Sequence, residues 1–376
     1  MSSSKEPKNK RTRLSDSQPR LSVEAVKESG RSDIQKRLDE KLEELKKKSP
    51  APKSSKNRKT KNGNAASASS PKTPVVSSSS SAQSPQVMTA STPAAHRHNF
   101  TGFVLDCDGV IWHGDDPIEG SIEACNKLIE MGCKVHYVTN SSSNTRENVA
   151  SKLRRLGVTG AKAEHVTTSG SAAANLIREK LPSVKRVYVV GEQGLLDELK
   201  AVGLKVEGGP EENDATAQNS QEFLNLEINS DVGAVVCALD RRFNYAKLAK
   251  ASLHLQRGCP MVCTNLDAYD VLPPKGNVPG AGCIAAALLA SHPDAKQYVS
   301  GKPSGDVLLD IMKRRGMEKS MTVMIGDRVD TDIKFAQNAG VHSCLVLTGV
   351  CTEEHREMAM YCHQSLSTFV NECFPK

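Results

Sequence analysis

The first 97 residues contain no cysteine, tryptophan, phenylalanine or tyrosine, and their apolar residues stand in runs no longer than two or three. Such a segment cannot bury enough apolar surface to offset the entropy of ordering it, so a disordered tail is expected to residue 97. No run in the chain approaches 18 apolar residues, and the start (MSSSKEPKNKRTR) lacks the apolar centre of a secretory leader. No cysteine precedes Cys107, and the eleven present are odd in number and scattered. Cys259 and Cys263 have no His or Cys pair nearby to complete a metal site. These absences argue against a disulfide framework and a zinc ribbon, and for a reducing compartment. The expectation is a soluble cytoplasmic protein with no membrane attachment and no nucleic-acid partner. The nucleus is left open by basic stretches at Lys8–Arg13 and Lys53–Lys61.

Charge is divided unevenly. The tail holds 21 basic against 9 acidic residues, or +12, so the remainder of a chain with net charge +7 carries −5. The basic character belongs to the tail. Within it Asp33–Lys48 has apolar residues at helical spacing, but four small anchors make only a marginal, solvated helix. Five Ser-Pro or Thr-Pro pairs, at Ser49, Ser70, Thr73, Ser84 and Thr92, suit regulation of location or partners.

From Asn99 onward short Val-rich runs alternate with amphipathic stretches: Phe103–Leu105, Ile118–Met131, Val135–Thr139, Thr145–Leu156 and onward to Leu347. That alternation predicts βαβ units around a parallel sheet, hence an α/β fold with a doubly wound core. Pro210–Asn219 is polar enough to predict a surface loop.

Four polar clusters fall at or near the ends of these runs. Phe103-Val-Leu-Asp106 leads into Cys107-Asp108-Gly109, and Val135–Thr139 continues as Asn140-Ser141. Lys302 stands in Ser-Gly-Lys-Pro-Ser304, and Thr322–Ile325 runs into Gly-Asp327-Arg-Val-Asp-Thr-Asp332. In an open α/β sheet ligands bind beyond the carboxyl ends of the strands, which is where these residues are placed. Each fragment has a plain alternative: Thr139 and Asn140 as turn residues, Lys302 as a solvated charge, Asp332 as a helix cap. Their order along one chain argues against independence.

The ordered set resembles the four motifs of the haloacid dehalogenase superfamily, from Asn99 to about Thr352. About 30 residues separate Asp106 from Thr139, which leaves no room for a domain, whereas about 160 separate Thr139 from Lys302. With VTNSS, TNLD, PGAG, GKPS and GDRVDTDI, this looks like the branch of 4-nitrophenylphosphatases, phosphoglycolate phosphatases and pyridoxal phosphate phosphatases. The resemblance implies a core over 98–181 and 299–376, and an inserted α/β cap domain over 182–298. It implies Asp106 as nucleophile, Asp108 as general acid and base, and Lys302 as an electrostatic stabiliser. Thr139 and the amides of Asn140 and Ser141 would hold the phosphoryl oxygens. Mg²⁺ would sit on Asp106, the main-chain oxygen of Asp108 and Asp327, with Asp332 behind them orienting Lys302 or a bound water.

The function so implied is a Mg²⁺-dependent phosphatase that hydrolyses small phosphorylated metabolites through a phospho-aspartate. The loop Asn265–Leu272, with Asp267 and Tyr269, is the candidate for choosing among substrates. Leu272 stands where the pyridoxal phosphate branch has His before Pro273, which favours phosphoglycolate-like acids. A homodimer through the cap is an open expectation. The alternatives are a pyridoxal phosphate or phosphoprotein phosphatase and, from another class, a catalytically silent protein that binds through its basic tail.

Overall fold

The computed structural model describes residues 98–216, 218–272 and 276–375. The tail expected to be disordered, the weak helix at Asp33–Lys48 and Pro273 lie outside the described residues. Among the described residues no helix is long and apolar enough to cross a membrane.

Two parallel sheets organise the rest. The first has six strands in the spatial order Tyr361–His363, His342–Val346, Thr322–Gly326, Gly102–Asp106, Lys134–Thr139 and Val166–Thr168. Each pairing is parallel. Phe103 and Leu105 enter one apolar cluster with Val135, Tyr137, Val323 and Ile325, while Val104 joins Val138 and Met324 on the other face. A strand buried on both faces in this way reads as a continuous apolar run, which is why the Val-rich segments were recognisable. Each such side chain contributes about 1.5–3 kcal/mol of burial. From Gly102–Asp106 the chain winds outward to one edge, and it later returns on the other side at Thr322–Gly326. The crevice where a winding direction reverses is a natural ligand site.

Between Ser169–Lys180 and Lys302 the chain builds the second sheet, in the order Gln297–Val299, Met261–Cys263, Ala234–Cys237, Arg186–Val190 and Lys205–Gly208. It is also wholly parallel and has its own apolar clusters on both faces. An antiparallel hairpin, Tyr269–Leu272 with Gly276–Pro279, follows Met261–Cys263.

The amphipathic stretch Thr145–Leu156 forms the helix Arg146–Leu156, and Ile118–Met131 contains the shorter helix Ser121–Glu130. Some elements were not anticipated. Tyr361–His363 and Leu366–Cys373 follow Leu347, and the latter is opened by a Ser365–Thr368 capping box and buries Leu366, Phe369 and Val370. Pro210–Asn219 is a surface loop only in part. Glu212 accepts from the Tyr188 hydroxyl at 2.6 Å and from Lys250 at 2.8 Å, and Asn213 accepts from the buried Lys247 at 2.7 Å.

Candidate active site

Parallel register sets three strand ends side by side. Leu105 lies opposite Ile325 and Asp106 opposite Val138, so Asp106, Thr139 and Asp327 emerge together at the carboxyl edge of the sheet. Lys302 arrives from the segment that returns from the second sheet. Asp332 comes from the helical turn Val329–Ile333, which precedes the helix Lys334–Ala339.

These groups form one buried cluster. Lys302 Nζ lies 2.6 Å from Asp106 Oδ1 and 2.7 Å from Asp332 Oδ1. Carboxylate oxygens of Asp106, Asp327 and Asp332 fall within 4.8 Å of one another. All four residues are at most 5% exposed. Asp332 is further fixed by the Arg328 amide at 3.1 Å, and Asp327 Oδ2 accepts from the Val350 amide at 2.7 Å.

Three carboxylates against one ammonium leave an excess of negative charge where water cannot screen it. Burial, then the charge of Asp332, hold the Asp106 carboxyl well above the usual carboxylate range, with Lys302 opposing. Burial and Asp332 likewise push Asp327 up to about 7. Burial works against the charge of Lys302, but Asp106 and Asp332 outweigh it and hold its pKa above the ordinary lysine value. Asp327 Oδ1 is buried without a hydrogen-bond partner. Gly109 and Gly349 close in on this carboxylate, and a Cβ on either would collide with it. Hard oxygen donors, an orphan oxygen and surplus negative charge together fit a small divalent cation.

The other anticipated residues behave differently. Asp108 is exposed, and its carboxylate accepts from the Trp112 indole at 2.9 Å rather than joining the cluster. The Ser141 amide donates to Thr139 Oγ1 at 3.1 Å, so these two expected phosphate contacts are paired with each other here. Asn140 contributes more than the main-chain amide anticipated from sequence. Its side chain accepts from the Lys302 amide at 2.9 Å and donates to both Asp267 oxygens, at 3.2 and 3.1 Å. Trp112, Val350 and Gly349 were missed. Trp112 is the single tryptophan, four residues after Asp108, and Gly349 follows the strand His342–Val346 at the same sheet edge, so both carried a usable signal.

The comparisons with known proteins point to one family. A model described as haloacid dehalogenase-like hydrolase matches residues 103–205, and a second HAD-like hydrolase model matches residues 299–368. Phosphoglycolate phosphatase 2 of Arabidopsis thaliana is 38% identical over 274 residues, covering 72% of this chain and 90% of its own. Among solved structures, a p-nitrophenyl phosphatase from Archaeoglobus fulgidus superposes with a TM-score of 0.63 at 27% identity, covering 72% of this chain and 98% of its own. A glycerol phosphate phosphatase from Mycobacterium tuberculosis, solved in complex with magnesium, gives a TM-score of 0.60 at 28% identity. That match covers 71% of this chain and 76% of the other. From the strand-end cluster and these relatives together, the chain belongs to the haloacid dehalogenase-like hydrolase family.

Proposed function

We propose that this chain, a phosphoric monoester hydrolase of the haloacid dehalogenase type, moves the phosphoryl group of a small phosphomonoester first to Asp106 and then to water. The observation that carries the reading is the buried Asp106 carboxylate, 2.6 Å from Lys302, in a cluster whose charge is unbalanced and one of whose oxygens is orphaned.

Asp106, the main-chain oxygen of Asp108 and Asp327 are the groups that would hold Mg²⁺. When bound, the ion neutralises phosphoryl oxygens that would otherwise repel a carboxylate nucleophile. The remaining steps belong to the chain. An Asp106 oxygen forms a bond to phosphorus while the ester P–O bond breaks, and Asp108 gives its proton to the departing alkoxide. Asp108, then a carboxylate, takes a proton from water as that water attacks phosphorus. The acyl-phosphate bond breaks, and inorganic phosphate and the Asp106 carboxylate are regenerated. Solvent exposure of Asp108 suits a group that must exchange protons twice per cycle. Lys302 stays charged beside the nucleophile and stabilises the charge on the transferring group. Asp332 holds Lys302 in place. Thr139 and the amides of Asn140 and Ser141 cradle phosphoryl oxygens once the Thr139–Ser141 pairing opens.

The second sheet, whose strands lie between Arg186 and Val299, serves as the cap that meets the leaving group. Small phosphorylated acids or alcohols are the proposed substrates, supported by the phosphoglycolate and glycerol phosphate phosphatases among the relatives. The test is phosphate release from phosphoglycolate, glycerol 3-phosphate, pyridoxal phosphate and 4-nitrophenyl phosphate, with Mg²⁺ or EDTA. Wild type should turn over at least one substrate with Mg²⁺ alone, and Asp106→Asn none. Full turnover by Asp106→Asn ends the proposal.

A further inference from the structure

The segment Asn265–Leu272 grips the reaction centre at a point well removed in sequence. Asn140 Nδ2 donates to both oxygens of Asp267, and also to the Lys302 carbonyl at 3.3 Å. Asn140 Oδ1 accepts from the Lys302 amide at 2.9 Å. The Asn140 carbonyl accepts from Asn265 Nδ2 at 2.8 Å, and the Asp267 amide donates back to Asn265 Oδ1 at 3.0 Å. Both polar ends of the Asn140 side chain are therefore occupied, one side by Asp267 and the other by the Lys302 main chain. A second link crosses nearby, where the Arg328 guanidinium stands 5.4 Å above the Tyr269 ring.

A carboxylate is a poor surface for greeting a phosphate dianion, and a worse one for a substrate whose leaving group is itself an acid. Two oxygens turned onto an amide do something else: they fix that amide's orientation. We infer that Asp267 is a positioning residue of this active site, which holds the Asn140 side chain and through it the main chain that presents Lys302 to Asp106. The inference rests on the hydrolytic reading above and replaces the expectation that Asp267 selects among substrates.

A group acting this way on the shared reaction centre lowers turnover for every substrate alike, because all phosphomonoesters use Lys302 and Asp106. Small misplacements of catalytic groups cost on the order of 10- to 10²-fold in rate. Asp267→Ala should therefore lower kcat by about that factor for phosphoglycolate and 4-nitrophenyl phosphate equally, with KM little altered. Asp267→Asn keeps an oxygen that can accept from Asn140 and should retain most of the rate. In an Asn140→Ala background, Asp267→Ala should add nothing, since the link is already cut. An unchanged kcat, a loss that differs between the two substrates, or additive losses in the double variant would each overturn the inference. If Asp267→Ala does not fold, Asp267→Asn decides: near-wild-type turnover on both substrates supports it and a substrate-dependent loss overturns it. These failures are separable from failure of the parent reading, which would show as a wild type inactive on every ester.

Discussion

Among the described residues two lysines are buried, and their surroundings differ in one respect. Lys247, in the first turn of Tyr245–Gln256, meets Asp240 at 2.7 Å, Asn213 at 2.7 Å and the Arg242 carbonyl at 3.4 Å. Three donors find three acceptors, one carboxylate balances one ammonium, and the other Asp240 oxygen accepts from the Arg242 amide at 2.9 Å. Lys302 meets Asp106 and Asp332, with Asp327 close by and one of its oxygens unpaired. The first cluster is balanced and satisfied, and it ties the helix Tyr245–Gln256 to the segments that carry Asp240 and Asn213. The second is unbalanced and left open, an arrangement that costs stability unless something binds there. Burial of a charge does not mark a functional site; an uncompensated remainder does.

Removal of each ammonium should separate the two clusters most clearly. Lys302→Met should cut kcat by about 10²–10³, the scale of losing one preorganised electrostatic partner, in a protein that still folds with Mg²⁺. Lys247→Met should leave kcat/KM nearly unchanged well below its melting temperature. It should cost about 3–5 kcal/mol of stability, because Asp240 would stay buried without its partner. Denaturant unfolding beside steady-state kinetics checks both, and interchange of the two outcomes would overturn the assignment of roles.

A smaller effect sharpens the same contrast. The Asp327 carboxyl titrates near 7 in the fold, against about 4 in an unfolded chain. Between those values the folded state binds the extra proton, so this group's contribution to stability is complete below about pH 4 and is lost as pH rises through 7. In EDTA the melting temperature should fall from pH 5 to pH 8. Mg²⁺, which competes with that proton, should raise it more at pH 8 than at pH 5. The Lys247→Met protein should keep this magnesium response. A response that is the same at both pH values would place the ion elsewhere.

Much of this was legible in the sequence because parallel strands buried on both faces cannot hide their Val-rich runs, and because Asp106, Thr139 and Asp327 follow those runs directly. Lys302 and Asp332 were legible through motif order. What escaped notice depends on side-chain direction across long separations. Nothing local says that the Asn140 side chain spans to Asp267 and Lys302, 127 and 162 residues away. The Asn213 side chain lay within a polar stretch that predicts a surface loop, and only the fold brings it to Lys247. Tyr361–His363 is a three-residue edge strand and too short to carry a period, although the Ser365 cap and the spacing of Leu366, Phe369 and Val370 were readable.

In the proposed mechanism Asp106, in the unbalanced cluster, takes the phosphoryl group and Asp108 manages the protons. An Asp108→Asn variant given 4-nitrophenyl phosphate tests it, because that leaving group departs without a donated proton while hydrolysis of the acyl phosphate loses its base. Acid quenching in the first turnover, followed by peptide mass spectrometry, should find phosphate on the peptide that carries Asp106. The Asp106→Asn, Asp108→Asn double variant should show none. Nitrophenol released by the single variant with no phosphorylated Asp106, or phosphate on another residue, would contradict the account.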